Sequence, residues 1–400
     1  MMDGPLTGIR VLEVANWLAA PAGCALLADF GAEVIKVEPP IGDPLRGYRQ
    51  QAPKFDVPIN FVFELPNRGK KGITLNLEAP KARDVIYRLL KDVDVFVTNL
   101  LPKRRERFGL TYQELIRHRP NLVYASLTGY GSTGPDRDRP GFDYAAFWAR
   151  SGIMGLLGEP DAPPPPQRPA MGDHTSSLLL AGSVAMALLQ RERTGQGQEI
   201  DVSLQNTGIW VLGVDMQLAL AGTEPVRTSR RSVANPLWNS YRTKDDRWLM
   251  FVMLTPDAYW PRFCRAIGRE ELEHDPRYAS MQSRNQNREE LITLLDGVFA
   301  QRTLAEWSGP LDEQGCIWAP AQTLREVIDD PQVRERGAFT TIDHPVAGKM
   351  ELVDTPVKFA SADVGVKGPA PELGQHTEEI LLRADYTWDD IARMRDEGML

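Results

Sequence analysis

The sequence predicts an α/β protein built around a parallel β-sheet. In the first half of the 400-residue chain, short β-rich runs alternate with helical patterns, and the connections between them are short. IRVLEVA (9–15) and EVIKVEPP (33–40) are typical of buried strands, and PAGCALLADFG (21–31) between them is typical of a helix. This alternation places the strands in parallel, with helices on both faces of the sheet. Ligands of such sheets bind beyond the carboxyl ends of the strands.

The strand–helix unit repeats along the chain. Pro21 at the start of the first helix and Gly31 at its end follow the residue preferences of helix termini. The helix predicted at 173–193 is apolar nearly all round, which indicates a buried helix, and Gly195 follows its basic last turn. The other predicted elements of this half are helices at 79–91 and 111–118 and strands at 93–100, 121–129 and 198–204.

A change of character after the polar stretch 227–236 predicts a second domain. Residues 238–254 have the pattern of a β-hairpin that turns at Lys244–Asp246, and helical patterns follow it. These helical patterns lie at 256–267, 286–300 and 303–314. We therefore predict a small α+β domain over 228–335.

The C-terminal tail is expected to return to the first domain. It contains a strand-like segment, MELVDTPVKF, and a final helical pattern. The large domain would then comprise residues 1–222 and 341–400.

Composition excludes several classes of protein. A net charge of −8 at neutral pH argues against a general nucleic-acid binder. The longest apolar run, 178–189, is shorter than the ~20 residues needed to span a bilayer, and MMDGPLTGIR lacks the pattern of a signal peptide. Cys24, Cys264 and Cys316 are far apart and show no zinc-ligand spacing. We expect a cytoplasmic protein with no membrane span and no metal site.

Asp173, in PAMGDHTSSLLL, has two interpretations. As a helix N-cap its carboxylate would accept backbone N–H bonds. As a functional group it would use the same helix start, where the helix dipole favours an anion. Gly172 would leave room for a substrate to approach, and the carboxylate could act as a nucleophile. His174 is a poor partner for Asp173, because adjacent helical residues do not face each other.

Two basic runs, PKRRERFG (102–109) and NRGKKGITLNL (67–77), lie beside predicted strands. Arginine and lysine clusters at sheet ends suggest a phosphate-rich ligand, and a solvated charged surface is the alternative. The segment ANWLAAPAG after the first strand lacks GxGxxG, which disfavours nicotinamide chemistry.

Several stretches taken together resemble the class III CoA-transferases, the group that contains formyl-CoA transferase, carnitine CoA-transferase and α-methylacyl-CoA racemase. The resemblance runs from residue 5 to about 205 and resumes weakly beyond. The stretches are PLTGIRVLEVANWLAAPAGCALLADFGAEVIKVEPP, NRGKKGITLNL, DVFVTNLLPKRRERFGLTYQEL, NLVYASLTGYGSTGPDRDRPGFD, GDHTSSLLLAGSVAMALLQRERTGQGQEIDVSL and PELGQHTEEIL.

The resemblance implies a Rossmann-like large domain built from both chain ends, a smaller domain between them, and an interlocked homodimer. It also implies roles for individual residues. Asp173 in GDHTSS matches the family's nucleophilic aspartate, and Arg107 in RERFG matches an arginine that contacts CoA. The other expected CoA-binding residues are Trp17, Leu75, Asn76, Leu77, Asn99 and Leu100.

The activity implied is transfer of CoA from an acyl-CoA to a carboxylic acid. Asp173 would attack the thioester to give an anhydride and then an aspartyl-CoA thioester, from which the acceptor acid takes CoA through a second anhydride. CoA and acyl-CoA are then substrates, and no tightly bound cofactor is required.

Two departures from the family's sequence pattern narrow the range of expected substrates and reactions. Formyl-CoA transferase has a glutamine where this chain has Leu18, so oxalate and formate are not expected, and Trp17 and Leu18 favour a less polar group. The racemases have a histidine at the position of Phe142, a residue that transfers no proton. We therefore favour a transferase, and keep a racemase or a non-catalytic CoA-binding protein as alternatives.

Overall fold

The computed structural model describes residues 3–48 and 59–400. Backbone contacts divide them into two compact units. The first comprises the described residues up to Met154, together with Pro166–Thr223 and Glu335–Leu400. The second comprises Gly155–Pro165 and Glu224–Arg334.

A six-stranded parallel sheet forms the centre of the first unit and confirms the predicted α/β class. The strands have the order β3-β2-β1-β4-β5-β6, and every neighbouring pair is parallel. They are β1 (Arg10–Val14), β2 (Glu33–Glu38), β3 (Lys71–Thr74), β4 (Val95–Thr98), β5 (Val123–Thr128) and β6 (Glu199–Ser203).

The strand order reverses direction between β1 and β4. From β1 the chain builds outward through β2 and β3, then returns to place β4 on the other side of β1. The connections at such a reversal lead away in opposite directions and leave a crevice at the carboxyl ends of the two central strands. The turns after β1 and β4 therefore border the expected ligand site.

The helices of the first unit connect these strands and cover the sheet. The α-helices are α1 (Ala19–Asp29), α2 (Phe61–Asn67), α3 (Ala82–Leu89), α4 (Pro102–Phe108), α5 (Tyr112–Leu115), α7 (Met171–Thr194), α8 (Leu204–Val211) and α9 (Gly213–Leu220), and the first two residues of α6 (Ile153–Leu156) also belong to this unit. Helix α1 begins two residues earlier than predicted, so Pro21 lies in its first turn. A proline is tolerated there because the first-turn N–H groups have no intrahelical acceptor.

Two hydrophobic clusters bury the two faces of the sheet. Helices α1 and α7 form one cluster with alternate residues of the strands, including Val11 and Val95. Helix α3 forms the other with residues of the opposite parity, such as Leu12 and Phe96. Neighbouring strand residues point to opposite faces, so each strand contributes to both clusters. All residues of α1 are buried.

The C-terminal tail adds a β-hairpin and two helices to the first unit. The hairpin pairs β10 (Phe339–His344) with β11 (Gly348–Val353). Strand β11 overlaps the first four residues of the predicted strand-like segment MELVDTPVKF, and the remaining six residues of that segment are not in a strand. Helices α16 (Thr377–Arg383) and α17 (Trp388–Asp396) follow. The Thr74 N–H donates to Thr377 Oγ1 at 3.1 Å, which attaches the tail to β3 at the sheet edge.

The second unit contains a small antiparallel sheet and a group of helices. The predicted hairpin is confirmed as β7 (Ser240–Arg242) and β8 (Trp248–Phe251), and β9 (Trp318–Pro320) adds an unpredicted third strand. The helices are α10 (Pro256–Ala266), α11 (Met281–Gln286), α12 (Arg288–Phe299), α13 (Leu304–Glu313), α14 (Leu324–Asp329) and α15 (Pro331–Glu335). Its core is rich in aromatic side chains such as Phe251, Trp260 and Phe299. Across the residues that the structure describes, no helix has both the length and the apolar composition that crossing a membrane needs.

Candidate active site

A cavity of about 260 Å³ opens at the carboxyl end of the sheet, at the strand-order reversal. Its wall includes the turns after β1, β4 and β5 and the first turn of α7. Asp173 and Arg104 are the ionisable side chains among the described residues that line it. The rest of the lining is largely apolar and includes Trp17, Leu18, Leu127, Phe142 and Leu204.

Asp173 is the third residue of helix α7 and faces this cavity. Burial raises the pKa of its carboxyl group to about 7, and the nearby carboxylate of Asp143 contributes in the same direction. Burial disfavours a charge because a poorly solvated carboxylate loses its water, and a second anion disfavours it further. The group therefore titrates close to neutral pH.

Asp143, rather than Asp173, caps helix α7. The Gly172 N–H donates to both carboxylate oxygens of Asp143, at 3.2 and 3.3 Å. The residue before the helix, Ala170, has a left-handed backbone with φ of 67° and forms no side-chain cap. The N-cap interpretation of Asp173 is therefore wrong: the helix start is satisfied by a carboxylate from a distant segment, which leaves Asp173 free to face the cavity.

Gly172 is required by packing. A Cβ atom at this position would lie 2.2 Å from Phe147 Cγ and 2.4 Å from Asp143 Oδ1. Both distances are far below van der Waals contact, so only glycine lets the helix start approach Asp143 this closely. The sequence had suggested that Gly172 makes room for a substrate; the structure gives the space to Asp143 and Phe147.

Trp17 and Phe142 form an aromatic pair on the cavity wall. Their rings meet edge to face, with centroids 5.5 Å apart. Trp17 has φ of 65°, an uncommon left-handed conformation for a bulky residue. Leu18 lies beside it on the wall. Leu18 and Phe142, the two positions at which the chain departs from the family it resembles, thus both lie on the wall of this cavity.

Asn99 holds the turn that follows β1. The Asn16 N–H donates to Asn99 Oδ1 at 3.1 Å, and Asn99 Nδ2 donates to the Asn16 carbonyl at 2.6 Å. The amide of Asn99 is thereby committed to the protein backbone, although the residue lines the cavity.

A second cavity of about 90 Å³ adjoins the first. The two share Asn16, Leu100 and Arg104 as lining residues. The smaller cavity is also lined by Leu75, Asn76 and Leu77, which the resemblance assigned to CoA. The fold therefore brings most of the expected CoA-binding residues to two adjoining cavities at one edge of the sheet.

Arg107 is placed apart from the other expected residues. It lines neither cavity, its side chain is exposed, and its guanidinium pairs with Glu78. Arg104, one helical turn earlier on α4, lines both cavities and forms no ion pair within the described chain. Both guanidinium groups lie over the Phe108 ring, at 5.5 and 5.4 Å. Arg104 is thus a site residue that sequence matching missed, although the basic run PKRRERFG contains it.

In the other basic run, NRGKKGITLNL, Arg68 and Lys70 are paired with carboxylates of the protein and are not available to a ligand. Lys70 is buried and donates to Glu13 Oε2 at 2.6 Å, and Arg68 is buried against Asp29. The expectation that this run binds phosphate is therefore wrong for these two residues. No local pattern indicates this outcome, because their carboxylate partners lie on β1 and α1.

His174 lies outside the cavity lining, as expected for a neighbour of Asp173 on a helix. Burial lowers its pKa, with a smaller effect in the same direction from Arg68, so the imidazole is neutral at physiological pH. Within residues 3–48 and 59–400, no three histidine, cysteine, aspartate or glutamate side chains are grouped to hold a metal ion.

A parallel doubly wound sheet with a cavity at its reversal point is typical of α/β proteins that bind a ligand at the carboxyl edge of the sheet. Comparison with known proteins makes the class specific. The model of "CoA-transferase family III" matches residues 6–377, and the chain belongs to this family. It is an enzyme that transfers CoA.

Two relatives named as CoA-transferases and a solved structure agree with this assignment. The chain is 35% identical to the cinnamoyl-CoA:phenyllactate CoA-transferase of Clostridium sporogenes, over 98% of this chain and 96% of the relative. It is 33% identical to the (R)-2-hydroxy-4-methylpentanoate CoA-transferase of Clostridioides difficile, over 99% of each chain. The crystal structure of a CaiB/BaiF family protein from Brucella suis superposes with a TM-score of 0.84 at 31% identity, covering 96% of this chain and 100% of the other.

Proposed function

We propose that this enzyme transfers CoA from an acyl-CoA thioester to a carboxylic acid, with Asp173 as the nucleophile. The observation that carries the proposal is the composition of the larger cavity. Within the described lining, it offers one carboxylate and one guanidinium against an otherwise neutral wall. Covalent transfer needs a nucleophile, which Asp173 can supply, and the guanidinium of Arg104 can pair with an anionic group of a substrate.

The setting of Asp173 suits a carboxylate nucleophile. Poor solvation makes the anion more reactive, and a pKa of about 7 leaves a large fraction ionised at neutral pH. The carboxylate oxygen attacks the thioester carbonyl, and the C–S bond breaks to give a mixed anhydride and CoA thiolate. The thiolate then attacks the aspartyl carbonyl, releasing the donor acid and leaving an aspartyl-CoA thioester.

The second half of the reaction repeats these steps in reverse order. The acceptor carboxylate attacks the aspartyl-CoA carbonyl and expels CoA thiolate, which gives a second anhydride. The thiolate attacks the acceptor's carbonyl, and the C–O bond to Asp173 breaks. The new acyl-CoA and the free Asp173 carboxylate result, with no net change in protons or electrons.

The adjoining cavities suit the two parts of an acyl-CoA. The smaller one, lined by Leu75, Asn76 and Leu77, would contact part of the CoA moiety, and the larger one would hold the acyl group beside Asp173. Arg104 lies on the wall that both share and is placed to meet a phosphate or a substrate carboxylate. Trp17, Asn99, Leu100 and Arg107 complete the proposed CoA-binding set.

The acid substrates are proposed to be 2-hydroxy acids with apolar side chains, or the corresponding unsaturated acids. The wall around Asp173 is formed by apolar groups such as Trp17, Leu18 and Phe142. The names of the two relatives reported above refer to phenyllactate, cinnamoyl-CoA and 2-hydroxy-4-methylpentanoate. All three compounds carry a bulky apolar group near the carboxyl carbon.

The proposed assembly is a homodimer in which residues 1–222 and 341–400 form the large domain and 228–335 the small one. Helix α9 has no buried residue although its side chains are mostly apolar. Trp210 and Val214 are 79% and 78% exposed, and Leu178 and Met186 on α7 are also exposed. An apolar surface of this kind on a protein in water marks a site of association.

Trapping of the acyl-enzyme tests the proposed function. The protein is incubated with cinnamoyl-CoA and hydroxylamine, and the peptide that contains residues 169–193 is examined by mass spectrometry. We expect an aspartyl hydroxamate at Asp173, because hydroxylamine attacks both the anhydride and the aspartyl thioester. Asp173→Asn should remove the label and lower kcat by at least about 1,000-fold.

His174→Gln is the matched control, since His174 is adjacent to Asp173 but lines neither of the two cavities described above, and it should keep both label and activity. Turnover without any modification at Asp173 would refute the proposal that Asp173 is the nucleophile. Exchange of solvent deuterium at the α-carbon of a branched acyl-CoA, without an acceptor acid, would instead indicate a racemase.

A further inference from the structure

A cluster of buried charges lies directly beneath the turn that carries Trp17. It contains the carboxylates of Glu13, Glu38 and Asp43 and the cations of Lys36, Lys70 and Arg46. The side chains of Lys36, Lys70 and Glu13 are fully buried. Ionised groups are costly to bury, so a cluster of this size needs a reason beyond packing.

The acidic and basic side chains of the cluster are closely paired. Lys36 Nζ donates to Glu13 Oε1 and to Asp43 Oδ2, both at 3.0 Å. Burial opposes ionisation of Glu13, but the ammonium groups of Lys36 and Lys70 outweigh it and hold the pKa of Glu13 below its usual value. Burial likewise opposes the charge on Lys36, but Glu13 and Asp43 outweigh it and hold the pKa of Lys36 above its usual value.

The contacts of the cluster extend to the backbone of the turn. Lys36 Nζ also donates to the Ala15 carbonyl at 2.9 Å. Asp43 Oδ1 accepts the N–H of Trp17 at 3.1 Å, and the same oxygen accepts the Leu45 N–H at 2.9 Å. One carboxylate therefore joins the buried ammonium of Lys36 to the amide of Trp17.

Trp17 needs such support. Its φ of 65° is unfavourable for a residue with a Cβ atom, and conformations of this kind persist only where surrounding contacts fix them. The residue is 38% exposed, so packing encloses it only in part. The conformation directs the indole against Phe142, on the wall of the cavity that contains Asp173.

We propose that Asp43, held by Lys36, is a positioning residue that fixes Trp17 on the cavity wall and thereby sets which acids the enzyme accepts. Neither Asp43 nor Lys36 lines the cavity, so both act through Trp17. The part that concerns acid selectivity rests on the proposed function. The part that concerns the conformation of Trp17 does not.

The first measurement follows the Trp17 amide by hydrogen exchange. Labelling with ¹⁵N-tryptophan gives signals from the nine tryptophans, and Trp17→Phe assigns the one of interest. In the wild-type protein the Trp17 amide should be protected, although it lies in a turn beside a half-exposed side chain. Asp43→Asn should accelerate its exchange by about tenfold or more, since a bond to a charged acceptor is weakened.

The second measurement compares kcat/KM for a bulky acid, phenyllactate, with that for a small one, acetate. A displaced Trp17 should change this ratio by about tenfold in Asp43→Asn. Asp29→Asn is the matched control, because Asp29 is an equally buried aspartate paired with a cation, Arg68, away from the turn. It should alter stability but neither the Trp17 amide nor the ratio.

The outcomes separate the hypotheses. Free exchange of the Trp17 amide in the wild-type protein overturns the proposal, and this result is obtained even where Asp43→Asn does not fold. Equal effects in Asp29→Asn also overturn it, since they indicate general loosening. Faster exchange with an unchanged ratio overturns the role in selectivity. A wild-type protein that transfers CoA to no acid contradicts the proposed function, while the exchange data still decide the positioning of Trp17.

Discussion

At the scale of single residues, Asp143 and Asp173 both lie at the start of helix α7 but have different roles. Asp143 accepts the Gly172 N–H and is almost completely buried, so it serves as the cap of α7. Asp173 faces the cavity, and its carboxyl group has a pKa of about 7. Burial is the larger cause of this raised pKa, and repulsion by the carboxylate of Asp143 raises the pKa further. An aspartate with a structural role thus contributes to the raised pKa of the proposed nucleophile.

The pH dependence of catalysis follows from this arrangement. Asp173 attacks as the anion, and burial and Asp143 raise its pKa to about 7. We therefore expect kcat/KM to fall as pH is lowered through about 7. Asp143→Asn keeps an oxygen for the cap but removes the charge, so the pKa of Asp173 decreases and the inflection moves to lower pH.

Initial rates with cinnamoyl-CoA between pH 5 and pH 9 give this inflection. The control is Asp161→Asn, an exposed aspartate that lines no described cavity. An inflection that stays in place in Asp143→Asn would show that the titrating group is a different one.

At the scale of elements, close packing fixes where helix α7 begins. Helix α1 is buried along its whole length and packs against α7 in one hydrophobic cluster. Gly172 allows the start of α7 to lie against Phe147 and Asp143. The position of Asp173, two residues inside the helix, is therefore determined by side chains from other segments.

Gly172→Ala tests this packing. The added methyl group would overlap Phe147 and Asp143, so the helix start must move. We expect a loss of about 1–3 kcal/mol in the free energy of unfolding, measured by denaturant titration, together with a lower kcat.

Gly297→Ala provides the contrast. Gly297 lies in helix α12, where an added Cβ atom would meet no other group within 4 Å, and alanine is the better helix former. This change should add about 0.5–1 kcal/mol to the free energy of unfolding. If both variants have the same free energy of unfolding, the close approach at Gly172 does not contribute to stability.

At the scale of the whole molecule, the strand order brings the residues that line the cavity to one edge of the sheet. The turns after β1 and β4 meet at the reversal point, and α7 brings Asp173 to the same edge of the sheet. Residues as distant in sequence as Trp17, Asn99 and Asp173 therefore line one cavity. The apolar surface of α8 and α9 lies on the same unit and is left exposed in the single chain.

The proposed homodimer predicts that this surface is covered in solution. Light scattering coupled to size-exclusion chromatography should give twice the chain mass of 44.7 kDa. Charges at two exposed positions, in Trp210→Glu with Val214→Glu, should shift the mass toward the monomer, because burying them in an apolar interface is costly. Leu324→Glu, at an exposed leucine of the other unit, is the control and should remain dimeric. A wild-type monomer would exclude the proposed assembly.

The sequence by itself determined the α/β class, most of the strands and helices around the sheet, and the membership of the family. These features depend on local periodicity and on motifs that are contiguous in the chain, such as GDHTSS. Helix α7 ends at Gly195 as the sequence predicts, since that stop depends on neighbouring residues alone.

Only the tertiary structure decided which charges face the cavity. It assigned the cap of α7 to Asp143, placed Arg104 rather than Arg107 on the cavity walls, and buried Lys70 against Glu13. Each of these outcomes depends on a partner from a distant segment, and the energy of a charge depends on its burial and its partners. The linear sequence shows neither the burial of a charge nor its partners, so only the tertiary structure determines the electrostatics of the site.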